Sequence, residues 1–71
     1  MTDPATPRPH EPDLHLSIFF HGARLDFAAC RTAALHFIQE WHAREHEPVT
    51  IVPGPTRGLA RLPCERLYLE P

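Results

Sequence analysis

One segment, Ala28 to His46 (AACRTAALHFIQEWHAREH), is long and periodic enough to form a helix, and the remaining stretches are too short to bury themselves without it. On a wheel of 3.6 residues per turn, Cys30, Ala34, Phe37, Ile38 and Trp41 share one face, the stripe of a helix laid on a core. Thr32, His36, Gln39 and Ala43 fall opposite. Ala28, Ala29, Ala33 and Ala34 add intrinsic helix propensity. Asp26 is the expected N-cap, since a carboxylate accepts bonds from free backbone N–H groups. Pro48 is the expected stop, because it restricts Glu47 to extended conformations.

Upstream, Leu14, Leu16, Ile18 and Phe20 alternate with His15, Ser17 and Phe19, the period of a half-buried strand. His21-Gly22 offers a two-residue turn, and Ala23 to Phe27 follows. That turn sets Phe20 opposite Ala23, Phe19 opposite Arg24, Ile18 opposite Leu25, Ser17 opposite Asp26 and Leu16 opposite Phe27. Every apolar partner then shares one side, which a one-residue slip would destroy. A rival reading makes Gly22-Ala23-Arg24 a loop and starts the helix near Asp26. Downstream, Val49 to Val52 is a short strand ended by Pro53-Gly54-Pro55. Thr56 to Leu62 is ambiguous between a loop and one helical turn. Glu65 to Glu70 reads as a last strand, with Leu67 and Leu69 inward and Arg66 and Tyr68 outward. The order is β-β-α-β-β, and its simplest packing is a small two-layer α+β domain with one helix across a short sheet.

Four of the nine prolines precede Asp13, and the first twelve residues have no apolar periodicity. Residues 1–13 are therefore expected to be a disordered tail and residues 14–71 a single small domain. A core of roughly 58 residues is marginal, so a second copy or a partner is expected to complete it, with a homodimer favoured. The net charge of −2 argues against nucleic acid. No segment resembles a signal peptide or a membrane span, and Cys30 and Cys64 are expected as free thiols in a cytoplasmic protein. The absence of Lys and Asn beside seven Arg points to a high-GC genome, such as that of an actinobacterium or a phage.

The motif with the most chemistry is His42-Ala43-Arg44-Glu45-His46. Two His at i and i+4 share a helix face, and H-x-x-E-H is a metalloprotease pattern. A catalytic metal also needs a third protein ligand and a cleft, and neither is evident. His42, Glu45 and His46 are therefore expected to be a solvated helix end, with no metal and no cofactor. Arg57, Arg61 and Arg66 form a second candidate patch, for nucleic acid, which the net charge disfavours. Cys30 in the apolar stripe is expected to be buried and inert, and Trp41 to pack in the core. No nucleophile–base set, phosphate loop or carboxylate pair is present, which favours a non-enzymatic protein. The remaining candidate is a contact surface on the sheet face away from the helix. Phe19 would stand there beside His15, His21 and Arg24, with Tyr68 and Arg66 of the last strand. Aromatics framed by Arg and polar groups suit a protein interface. The expectation is a module that binds a protein partner or itself, such as a phage-encoded or accessory modulator of a host protein.

Overall fold

The computed structural model describes residues 6–44 and 48–69. Strand β1 spans Asp13–Phe20, β2 Ala23–Cys30, helix α1 Arg31–Arg44, β3 Val49–Val52 and β4 Ala60–Arg61. A 3-10 turn follows over Glu65–Tyr68. The strands form one sheet in the order β3-β1-β2-β4. β1 pairs antiparallel with β2 and with β3, and β4 lies parallel to β2. With α1 across one face, the molecule is the two-layer ββαββ arrangement expected from the order of its apolar patterns.

The hairpin has the expected register throughout, Phe20 opposite Ala23 down to Leu16 opposite Phe27. His21 and Gly22 both have positive φ, 52° and 80°. That is the backbone twist a two-residue turn needs to join two right-twisted strands. Leu16, Ile18 and Ala29 from the sheet, Ala34 and Phe37 from the helix, and Leu62 form the core. Leu14, Phe27, Ile38, Trp41, Val49 and Tyr68 pack around it. Trp41 is thus half-buried at the core margin, stacked on Phe37 at 5.5 Å between ring centroids.

The helix begins three residues later than its composition suggests. Ala28, Ala29 and Cys30 continue β2, opposite His15, Leu14 and Asp13. Asp26 is no N-cap; it sits within β2 opposite Ser17. The first helical N–H groups find other acceptors. Arg31 N–H donates to the Pro12 carbonyl at 3.0 Å, and Thr32 N–H to Glu11 Oε1 at 2.9 Å. A helix end must satisfy these donors somewhere, and here the chain before β1 supplies two of the acceptors. The segment from Thr6 onward therefore belongs to the domain rather than to a free tail. Thr6 is buried, Thr32 Oγ1 also donates to Glu11 Oε2 at 2.7 Å, and Asp13 opens β1. Residues 1–5 lie outside the described residues.

The second correction concerns the C-terminal segment. Cys64 takes a left-handed backbone, φ 58°, and the chain turns at Pro63-Cys64 instead of extending. Glu65 is buried, and its Oε2 accepts the Cys30 N–H at 2.7 Å. This fixes Glu65–Tyr68 as a turn packed on α1. His36 Nδ1–H donates to the Tyr68 carbonyl and ties the two together. The facing is inverted from the strand expectation: Tyr68 meets Phe37 edge-on at 5.3 Å, while Leu67 is 73% exposed. The fourth strand is Ala60–Arg61 instead, within the stretch that sequence left ambiguous.

Candidate functional site

Alternation along the strands sends Leu14, Leu16, Ile18, Phe20, Leu25, Phe27 and Ala29 towards the helix. It sends Asp13, His15, Ser17 and Phe19 of β1, and Arg24, Asp26, Ala28 and Cys30 of β2, to the opposite face. Thr50 and Val52 of β3 join them, opposite Ser17 and His15. Arg61 of β4 does so opposite Ala28.

Three zones run along this face. At one end Arg61 bridges two carboxylates, with Nη1 and Nη2 on Asp13 at 2.8 and 3.1 Å. Its Nη2 and Nε reach Glu65 at 2.6 and 3.1 Å. The side chains of Asp13 and Glu65 are 6% exposed. Burial works against the charge on Arg61, but the two carboxylates outweigh it and push its pKa up. In the middle, Asp26 Oδ1 accepts His15 Nε2–H at 2.8 Å and Arg24 Nε–H at 3.2 Å. A carboxylate has no proton to give, so Nε2 of His15 carries one here. The His15 bond, followed by that from Arg24, holds the Asp26 carboxyl below the usual range. Ser17 and Ala28, both small and buried, form the floor between them. At the far end Phe19, 43% exposed, stands beside Arg24, its cross-strand partner.

The structure thus brings His15, Phe19 and Arg24 together on one face, as expected. It does not bring the other three residues there. Tyr68 lies in the helix layer against Phe37, and Arg66 belongs to the same turn. The His21 ring leans on Phe20 at 4.1 Å, on the helix side of the hairpin tip. Of the basic patch, Arg61 is committed to Asp13 and Glu65, while Arg57 and Arg66 are exposed. His42 is exposed in the last turn of α1; Glu45 and His46 lie outside the described residues. Among the described residues no three potential ligands converge on one point, and no helix is long and apolar enough to cross a membrane.

Sequence reasoning missed Asp26, whose assignment as a cap hid its place between His15 and Arg24. The diagonal spacing of His15 and Asp26 in the predicted hairpin was the available signal. It also missed a shallow cavity of about 130 Å³ between the end of α1 and the C-terminal turn, lined by Phe37, Glu40, Trp41, Arg44 and Tyr68. That cavity depends on Tyr68 facing inward, which the strand reading reversed.

Comparison with models of protein families, with curated proteins and with solved structures gave no match.

Proposed function

We propose that this protein is a small non-enzymatic interaction module that binds a partner protein through the open face of its sheet. The observation that carries the reading is Phe19: a large apolar ring, 43% exposed, on a flat face opposite the helix layer. Its surroundings suit an interface. Arg24, Asp26 and His15 form a connected polar set, so their side chains are held in place before a partner arrives. Phe and Arg are both enriched at the cores of protein interfaces relative to the rest of the surface. The protein is proposed to act in the cytoplasm as a phage-encoded or accessory modulator of a host protein, without cofactor or metal.

The test compares three immobilised proteins exposed to an extract of the source cell: wild type, Phe19→Asp and Leu67→Asp. Leu67 is 73% exposed in the helix layer and serves as the control. The expected result is a protein retained by wild type and by Leu67→Asp but lost with Phe19→Asp, whose circular dichroism is unchanged. Retention of the same proteins by all three would remove the open face from consideration.

A further inference from the structure

The two edges of the sheet are unlike. The outer side of β2 is shared: β4 pairs with it at Phe27 and Ala28, and the rest carries Arg24 and Asp26, whose charges discourage another strand. The outer side of β3 has no strand beside it among the described residues. Its sequence, Val49-Thr50-Ile51-Val52, is β-branched throughout and holds no charge. Ile51 is 43% exposed. Pro48 and Pro53 bracket the strand.

The hydrogen-bonding direction of each β3 residue follows from its pairing. Phe19 N–H donates to the Pro48 carbonyl at 3.2 Å, so Pro48 faces β1. By alternation Thr50 and Val52 also face β1, opposite Ser17 and His15. Val49 and Ile51 therefore point their N–H and C=O groups away from the sheet. An edge of this kind is a template for another strand, and most natural edges carry a charge, a bulge or an interior Pro to prevent it. This edge has none of these inside its four residues.

We infer that β3 is the self-association edge of this protein: two copies join β3 to β3 antiparallel, about a two-fold axis at Thr50, into one continuous eight-stranded sheet. The occupant is a second copy because the strand, run antiparallel to itself, is complementary in donors and acceptors. With Val49 opposite the partner's Ile51 and Ile51 opposite the partner's Val49, each donor meets an acceptor. All four outward groups of each strand are then used, in four hydrogen bonds. Shifting by two residues so that Ile51 faces itself sets Val49 against Pro53, which has no N–H to give. No like charges are opposed, since the strand bears none. On the helix side, the exposed Ile51 of each copy covers the half-buried Val49 of the other, and Thr50 meets Thr50 across the axis, a favourable cross-strand pair. The two open faces lie on the same side, so the dimer carries two copies of the Phe19 surface. The inference is independent of that surface's role.

The test is the solution mass of the full chain by analytical ultracentrifugation over a range of concentrations. Wild type is expected to reach twice the chain mass. Ile51→Pro removes an N–H that faces outward and leaves the pairing to β1 intact; Ile51→Lys adds a charge to the edge. Both are expected to halve the mass with unchanged circular dichroism, and Lys serves if Pro unfolds the chain. Phe19→Asp is expected to remain dimeric. The register has its own probe. In a background of Cys64→Ser, Thr50→Cys is expected to form an intermolecular disulfide with oxidised glutathione, because facing residues at a non-hydrogen-bonded pair lie within disulfide reach. Ile51→Cys, which faces Val49, is expected to form none. A wild type that stays monomeric at every concentration would overturn the inference and leave the edge to a strand of another protein. A dimer dissociated by Phe19→Asp but not by either Ile51 variant would overturn it in favour of the open face.

Discussion

Glu65 is the residue on which most separate parts of the fold depend. Its carboxylate accepts the Cys30 N–H at 2.7 Å and two Arg61 nitrogens at 2.6 and 3.1 Å, in a side chain only 6% exposed. Glu65→Ala leaves the Cys30 N–H without an acceptor, at about 1–3 kcal/mol. It also removes one of the two carboxylates described on Arg61. Removing one member of a buried ion pair costs about 3–5 kcal/mol, but Arg61 keeps Asp13 and is 17% exposed. The low end, about 3 kcal/mol for the whole change, is therefore expected. Glu65→Gln keeps a carbonyl that can accept from Cys30, but it loses the charge and turns an NH2 donor towards Arg61 Nε, so it should cost less than Ala without being neutral. A domain of this size has a total stability of about 3–9 kcal/mol. The Ala variant should then lose roughly 12–24 °C of thermal midpoint and unfold at a far lower urea concentration. The assay is urea denaturation followed by Trp41 fluorescence and circular dichroism together. If Ala and Gln cost the same and both lie below about 1 kcal/mol, the carboxylate is not a structural hub, and the packing of the C-terminal turn on α1 must hold that segment alone.

Glu11 should make the fold sensitive to acid. Its carboxyl is drawn below the usual range, first by the Thr32 backbone N–H and then by the Thr32 hydroxyl. The contribution is complete above the ordinary Glu value of about 4.3 and disappears as pH falls through the lower folded value. Thermal midpoints measured from neutral to acid pH should fall less steeply for Glu11→Gln than for wild type. Deleting residues 2–12 should lower the midpoint at neutral pH, because both Glu11 and Pro12 serve the start of α1; no change would mean that water replaces both acceptors without loss. Trp41→Ala should cost about 2–3 kcal/mol, near or below the low end for a large aromatic. Trp41 contacts Phe37 and Phe20 but remains partly exposed, and urea midpoints by circular dichroism would measure the loss.

What the sequence disclosed depended on how locally each feature is determined. The β1–β2 register was legible because a two-residue turn and a period of two fix each other, so one correct turn placed ten side chains. The helix start was not legible. Alanine and cysteine at positions 28–30 suit a helix by propensity, yet in β2 they are buried opposite His15, Leu14 and Asp13, a pairing that local propensity does not report. The end of the chain misled for a related reason. The alternation in ERLYLE is a fair strand signal, and the feature that overrides it is a bond from Glu65 to Cys30, thirty-five residues away. Nothing in the local pattern announces such a partner. The same error moved Tyr68 and Arg66 onto the wrong layer; with His21 turned onto Phe20 as well, half of the expected contact surface dissolved while His15, Phe19 and Arg24 remained.

The place of Cys30 at the junction of β2 and α1 gives the protein one buried and one exposed thiol. Cys30 is fully buried, and burial pushes its pKa up, while Cys64 is exposed at the left-handed turn. A thiol reagent in contact with the native protein meets Cys64 at once, whereas Cys30 becomes available only when the junction of β2 and α1 comes apart. That junction is held by Glu11, Pro12 and Glu65, which approach it from both sides along the chain. Cys30 is thus a natural timer for concerted opening of the molecule, and Cys64 is the internal standard against which its clock can be read.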